Sequence, residues 1–254
     1  MSVYNIIFSP TGGTKKAADL FVNSFCPESI CIDLCSQSTD FSLFSFHAED
    51  ICIVSVPSYG GRVPAAAIER LHKMHGNKAA AILIVVYGNR AYEDTFAELQ
   101  ATLTDAGFSC TAGVAAIAEH SIMRQFAAGR PDDEDAKELA GFAEAIRSKI
   151  ESGTAATQLK LPGNRPYKEY GGVPLKPQAG KSCRQCGLCA KECPVGAIPA
   201  DNPSGTDVKK CISCMRCIAI CPHQARTVSK ALLAASSMKL KKACGGYKKN
   251  EIFI

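Results

Sequence analysis

No apolar stretch of this 254-residue chain is long enough to span a bilayer. The longest, Ala79 to Tyr87, has nine residues, against the roughly 20 that a spanning helix needs. The first residues, Met1-Ser2-Val3-Tyr4-Asn5, carry no basic group, and Pro10-Thr11-Gly12-Gly13 interrupts any apolar leader core. A secretory signal is therefore not expected, and the expected location is cytoplasmic. Gly-x-Gly-x-x-Gly does not occur, which excludes a separate nicotinamide-dinucleotide domain of the usual kind. Gly180-Lys181-Ser182 ends like a nucleotide P-loop, but the glycine required five residues earlier is Leu175. With 46% hydrophobic and 21% charged residues, disorder and collagen-like structure are also excluded. The chain can build one large core or two smaller ones.

Charge is unevenly divided. Residues 1–160 hold 13 Lys and Arg against 19 Asp and Glu, net −6, whereas residues 161–254 are net +11. Cysteine is divided too. Of 14 cysteines, Cys26, Cys31, Cys35, Cys52, Cys110 and Cys244 are scattered, while eight fall in two regular sets between 183 and 221. In a reducing compartment these read as thiols for metal or redox work. The first five of the scattered ones read as small buried residues, and Cys244 has no assigned role. The two halves are expected to be built differently and to attract each other by charge.

The first half alternates short apolar runs with amphipathic stretches, the pattern of a parallel sheet covered on both faces by helices. The runs predict five strands: 3–8, 29–34, 51–56, 79–86 and 113–118. Helices are expected over 64–75, 91–106 and after Pro131, whose first turn holds Asp132, Asp133 and Glu134. Between the second and third strands only a short aromatic patch, Phe41 to Phe46, is present. From Leu161 to Gly180 eight of 20 residues are Gly or Pro, too punctuated for a helix or central strand. The expected organisation is a domain over 1–155, a linker over 156–180, and a second domain over 181–254. The linker's Tyr167 and Tyr170 either pack on one domain or stay exposed. The chain ends in a lysine-rich tail and the apolar Ile252-Phe253-Ile254, which is expected to dock.

Cys183, Cys186, Cys189, Cys193 and Pro194 recur 28 residues later as Cys211, Cys214, Cys217, Cys221 and Pro222. This is a duplicated Cys-x2-Cys-x2-Cys-x3-Cys-Pro. Three thiolates at this spacing wrap three corners of an iron-sulfur cube, and the fourth ligates the cluster of the other half. One [4Fe-4S] cluster is accordingly expected on Cys183, Cys186, Cys189 and Cys221, the other on Cys211, Cys214, Cys217 and Cys193. A pair of structural zinc sites is the competing reading, but zinc modules rarely repeat a third cysteine at this interval followed by Cys-Pro. Over 183–226 the chain resembles bacterial two-cluster ferredoxins, which implies electron carriage. It departs from that pattern at Arg226, where an apolar residue is usual; that cation, with His223, could raise the potential of one cluster. Lys181, Arg184, Lys191, Lys209, Lys210 and Arg216 lie around the repeat, so an acidic redox partner is expected. Nucleic acid is not, because the basic tail lacks aromatic residues beyond Tyr247.

After the first strand comes Ser9-Pro10-Thr11-Gly12-Gly13-Thr14 and then a helix. Hydroxyls and glycines so placed let amides and side-chain oxygens converge on a phosphate at a helix start; a plain capped turn is the alternative. Two more loops follow strands three and four, where a doubly wound sheet binds its ligand. They are Pro57-Ser58-Tyr59-Gly60-Gly61 and Tyr87-Gly88-Asn89-Arg90-Ala91-Tyr92. Tyr59 and Tyr92 are the candidates to stack on a ring. His120, after the fifth strand, is a candidate proton donor, with Arg124 or Arg130 to steady an anion. The phosphate loop resembles that of flavodoxins, which implies FMN, a flavodoxin-like doubly wound sheet of order 2-1-3-4-5, and a smaller α+β ferredoxin domain beside it.

The whole arrangement resembles the fused flavodoxin–ferredoxin family of strictly anaerobic bacteria. The resemblance implies an iron-sulfur flavoprotein carrying electrons between FMN and two [4Fe-4S] clusters, a converter between one- and two-electron chemistry. Two other readings stay open. One is an NAD(P)H- or small-molecule-dependent flavin reductase that uses the clusters as a wire, and the other an oxygen-sensing iron-sulfur protein with a vestigial flavin site.

Overall fold

The computed structural model describes residues 1–153 and 159–254; the boundary expected at 155/156 lies outside the described residues. Five parallel strands form the centre: β1 (Val3–Ile7), β2 (Ile30–Asp33), β3 (Ile51–Pro57), β4 (Ala80–Tyr87) and β5 (Ser109–Ile117). Their order is β2-β1-β3-β4-β5, and a short antiparallel strand from the far end of the chain, β8 (Glu251–Phe253), extends the sheet beyond β5. The sheet is thus the expected flavodoxin-like one with a sixth strand added. A second ladder pairs β6 (Gln178–Ala179) with β7 (Arg226–Thr227).

Alternation along the central strands decides which helix goes where. On β3 and β4, Cys52, Val54, Val56, Leu83 and Val85 point to one face, and Ile51, Ile53, Ile82, Ile84 and Val86 to the other. The first face is covered by α2 (Ala65–Leu71) and α3 (Thr95–Asp105) through Ala67, Leu71, Phe96 and Leu99. The second is covered by α1 (Gly13–Phe25) and α4 (Asp133–Glu151) through Phe21, Val22, Leu139 and Ile146. Each such side chain contributes about 1.5–3 kcal/mol by leaving water. Both faces of the sheet are therefore buried, and polar chemistry can emerge only at the strand ends.

Element ends differ from expectation for local reasons. The helix expected to reach His75 stops at Leu71, because Lys73 and Met74 turn back to Arg70 and Leu71 by i→i−3 bonds. The helix expected from Ala91 starts at Thr95, since Glu93 is in the left-handed region (φ 40°). Between β2 and β3 there is only a 3-10 turn, Phe41–Leu43. That leaves β2 as a bare edge, and Cys31 is exposed on it while Cys35 and Cys52 are buried. Helix α4 starts where its sequence indicates: Asp132 accepts from the Glu134 and Asp135 amides at 3.0 and 3.1 Å, and Asp135 returns the bond to the Asp132 amide.

The glycine- and proline-rich segment runs along the first domain. Asp94 accepts from the Asn164 amide at 2.8 Å and from the Lys168 amide at 2.7 Å, and the Lys168 ammonium pairs with Glu93 at 2.9 Å. Beyond it come the short helices α5 (Leu188–Lys191) and α6 (Arg216–Ala219), and then α7 (Lys230–Cys244), started by the Ser229 cap. A small core of Met123, Phe126, Leu175 and Cys244 joins the loop after β5, the connecting segment and α7.

The expectation of docking by charge is not what the contacts provide. Among the described residues no ion pair joins 1–153 to 181–254. The two parts are joined by neutral and singly charged hydrogen bonds instead: Gln37 to the Cys193 carbonyl, Arg70 to the Pro194 carbonyl at 2.5 Å, and Asn89 to the carbonyls of Cys244 and Gly246 at 2.7 Å each.

The C-terminal strand is anchored by Asn250, which is buried. Its Oδ1 accepts from the Ile117 amide at 2.9 Å, and its Nδ2 donates to Asp135 at 2.8 Å and Glu138 at 2.7 Å. Asn250→Ala leaves a buried amide and two carboxylates short of partners, so urea unfolding should show a loss of about 3 kcal/mol. A loss below about 0.5 kcal/mol would mean that the strand is not held in this way.

Candidate functional site

The sheet order reverses between β1 and β3, which opens a crevice beyond the carboxyl ends of the strands. A cavity of about 340 Å³ fills it. Its floor is made by the loops that follow β1, β3, β4 and β5. Pro10, Thr11, Gly13 and Thr14 contribute from the first, Pro57, Ser58, Tyr59 and Gly60 from the second, Tyr87, Gly88 and Arg90 from the third, and Glu119, His120 and Ser121 from the fourth.

The remaining sequence-expected residues support this cavity from outside its lining. Ser9 Oγ accepts from the Lys15 amide at 2.8 Å, Gly12 precedes α1, and Gly61 packs on Glu93. Asn89, in the left-handed region at φ 65°, binds the end of α7. Tyr92 sits in an edge-to-face series with Tyr87 and Phe96, its hydroxyl 3.1 Å from Glu251. A different tyrosine lies over the cavity. Tyr170 packs so closely on Gly60 that a Cβ there would collide with its ring, and it lines the cavity.

Gly12, at the cap of α1, has no side chain to bond its first turn, and Ser9 takes only the Lys15 amide. The other amides of that first turn, with the Thr11 and Thr14 hydroxyls beside them, offer donors and a partial positive charge to an anion. Arg90 supplies a full charge in the same lining. It is held by Glu93 at 2.8 and 2.9 Å, and Arg90 and Lys168 together hold the Glu93 carboxyl down to about 2 against the opposing effect of burial. Burial pushes Tyr59 well above the usual phenol range, so it stays a neutral ring and hydroxyl donor. The donor set and the cavity size fit FMN, with the helix start for its phosphate and Tyr59 and Tyr170 for its ring.

His120 is fixed by its neighbours. Its Nδ1 accepts from the Ile122 and Met123 amides at 3.2 Å each, so the proton of the neutral ring is on Nε2. Its Cβ would meet a side chain on Gly88 at 2.8 Å. Burial lowers its pKa, and Arg90 lowers it further. Arg124 and Arg130 lie outside the lining: Arg124 bonds Glu119, and Arg130 is buried against Asp135 with its guanidinium 4.7 Å from the Tyr247 ring centroid.

The other walls come from the far half of the chain. Val173 and Leu175, Ile212 and Ser213, and Ser236, Lys239 and Leu240 of α7 close the cavity. Ile212 and Ser213 are the two residues between Cys211 and Cys214. Ser213 is 3% exposed, donates to the Val173 carbonyl at 3.0 Å, and sits at φ 55°. Only the interval between the cysteines could have pointed to them, since neither residue type is distinctive.

The eight cysteines fall into two small cavities. One is ringed by Cys183, Cys186, Cys189 and Cys221, the other by Cys193, Cys211, Cys214 and Cys217. Among the described residues no group of three or more His, Cys, Asp or Glu side chains is arranged to hold a metal ion. Amides point at the sulfurs: Ala197 to Cys193 and Ala225 to Cys221 at 3.3 Å, and Ser213 to Cys211 at 3.5 Å. Burial pushes the Cys214 and Cys217 thiols up to about 12, so coordination is what would make thiolates of them. At Cys221 burial acts in the same direction, but amide donation from Ala225, His223 and Arg226 outweighs it and lowers the thiol.

Residues 176–226 match the 4Fe-4S dicluster domain family. No curated protein matches the chain. Solved structures similar to it include the Streptococcus pneumonia TIGR4 flavodoxin, 20% identical, covering 58% of this chain and 99% of that one with a TM-score of 0.42. Flavodoxin 1 from Bacillus cereus is 16% identical, covers 58% and 98%, and scores 0.41. The Flv1 flavodiiron core from Synechocystis is 15% identical, covers 60% and 36%, and scores 0.44. No helix among the described residues is long and apolar enough to cross a membrane.

The buried, doubly accepting His120 yields a pH prediction. Its folded pKa lies below the ordinary 6.5. It therefore contributes stability above pH 6.5, which is lost as pH falls from there toward the folded midpoint. A proton NMR titration of the five histidines should show His120 with a midpoint below 6.5. A midpoint at or above that value would contradict the neutral-donor assignment.

Proposed function

We propose that the protein is an iron-sulfur flavoprotein that passes electrons between FMN in the crevice of the sheet and two [4Fe-4S] clusters held by the cysteine repeat. One observation carries the reading: Ile212 and Ser213 belong at once to the lining of the 340 Å³ cavity and to the Cys211–Cys214 interval. A flavin in that cavity and a cluster on Cys211, Cys214, Cys217 and Cys193 would both lie against Ile212, which lines the two cavities.

FMN, when bound, exchanges one or two electrons, whereas each cluster passes one. The chain's own groups set the conditions. The start of α1 with Thr11 and Thr14 takes the phosphate, and Arg90 adds a cation pinned by Glu93. His120 presents a fixed N–H, and Tyr59 and Tyr170 offer ring faces. Helix α7 contributes Ser236, Lys239 and Leu240 to one wall of the cavity, and the Cys211–Cys214 interval contributes Ile212 and Ser213, which favours exit through the cysteine repeat. The other set, with Cys186 exposed beside Lys181 and Arg184, is the side at which an acidic partner protein is attracted.

Anaerobically purified protein should hold about eight irons and one FMN. Replacing Thr11 and Thr14 together by Val should weaken FMN binding at least tenfold and leave the iron content unchanged. FMN binding unchanged in that variant would move the phosphate elsewhere. Iron without flavin in the wild type would contradict the proposal and favour a sensor with a vestigial cavity. Rapid flavin bleaching by NADH would favour the reductase.

A further inference from the structure

Arg226 is the largest of the fully buried side chains, 2% exposed, and it has no carboxylate partner. Its Nη1 donates to Thr206 Oγ1 at 2.9 Å, and its Nη2 to the carbonyls of Gly205 at 2.8 Å and Pro203 at 2.5 Å. Each of these acceptors is neutral. Its Nε is buried with no hydrogen-bond partner, and none of the ion pairs among the described residues includes it. A guanidinium stays charged in any protein environment, and a charge withdrawn from water is costly unless another charge lies beside it. Among the described residues no charged side chain is paired with it. Arg226 lines the cavity ringed by Cys183, Cys186, Cys189 and Cys221, and its charge also reaches Cys217 of the second set, whose cavity it does not line. A [4Fe-4S] core with four thiolates carries about −2 when oxidised and about −3 when reduced, which makes it the missing counter-charge.

The second set is treated differently. The arginine in its lining, Arg216, is paired with Glu192 at 2.5 Å, so its charge is offset within the protein. Lys176 donates to the Cys211 carbonyl at 2.5 Å, but it is only half-buried and solvent screens it. Solvent exposure acts in the same direction as Arg226: Cys186 of the first set is exposed, while Cys193 and Cys214 of the second are buried. Amide donation is close to balanced: Ala225, His223 and Arg226 to Cys221 in the first set, against Ala197 to Cys193, Ser213 to Cys211 and Arg216 to Cys214 in the second. Net charge, exposure and bonds to sulfur are what set such potentials, and the first two favour reduction of the Cys183 set.

We propose that Arg226 makes the cluster of Cys183, Cys186, Cys189 and Cys221 the higher-potential member of the pair. The first electron to enter the ferredoxin-like part then resides on the set that contributes no residue to the flavin cavity. This rests on the two-cluster reading above but not on the flavin. In the step itself a viologen-class donor loses one electron, that core goes from 2+ to 1+, and no proton moves and no bond changes.

The test is an EPR-monitored redox titration of the intact protein with a viologen-class mediator, for wild type, Arg226→Gln and Arg226→Lys, each first assayed for iron and sulfide. Arg226→Gln keeps donors for the carbonyls and removes the charge. Its higher-potential step should fall by at least tenfold in equilibrium constant, which is 59 mV for one electron. Arg226→Lys should stay near wild type. An unmoved higher step, movement of the lower step alone, or equal shifts in both variants would overturn the proposal. Should Arg226→Gln not assemble its clusters, half-reduced wild type decides, through the contact-shifted β-protons of its cysteine ligands. Reduced-cluster shifts on Cys183, Cys186, Cys189 and Cys221 support the assignment, and shifts on the other four cysteines overturn it. Fewer than eight irons in wild type defeats the two-cluster reading itself.

Discussion

Asn250 reaches the interior at the edge of the sheet and meets the Ile117 amide and two carboxylates of α4 at once. A buried amide with every polar atom engaged is costly to shift, and this one fixes the last residues of the chain against β5. With β8 in place, Asn89 holds the end of α7 through the Cys244 and Gly246 carbonyls, and α7 lies across the cavity. The same chain end that began as a basic tail becomes a wall of the site. Without that anchor, the first domain would lose the α7 wall of its crevice, and the cysteine repeat would be joined to it by the segment along α3 and by the bonds of Gln37 and Arg70.

The parts of this arrangement legible in the sequence are those fixed by local rules. Strand alternation, the glycine loop and helix start after β1, the acidic start of α4 and the 28-residue cysteine repeat each follow from period, cap or spacing, and five parallel strands in the order 2-1-3-4-5 are present. What escaped was set by tertiary contact. Tyr92 looked like a ring-stacking residue from its loop, but packing against Phe96 and bonding to Glu251 draw it away from the cavity. Tyr170 comes from a segment whose tyrosines could equally pack on a domain or stay exposed, and nothing in its sequence pointed to the cavity. Helix α7 was masked by its lysines, although Ser229 is a standard cap ahead of it.

Charge has two roles here, and they separate by burial. The acidic first half and basic second half suggested docking by long-range attraction, yet the contacts between them are hydrogen bonds to carbonyls, a packed core around Leu175 and Cys244, and a β-ladder. Surface charge is left free to act on a partner. The buried charge of Arg226, by contrast, has no counter-ion among the described residues, and cysteines of both sets, Cys221 and Cys217, feel it.

The central claim is that flavin and clusters are held in fixed proximity by hydrogen bonds and packing, with no ion pair among the described residues between the two parts. The most direct measurement is the rate of electron exchange between photoreduced flavin and the clusters, followed anaerobically by visible absorption at several protein and salt concentrations. The account predicts a first-order rate independent of protein concentration and unchanged from low to high ionic strength. A rate that rises with protein concentration, or falls steeply with salt, would contradict it.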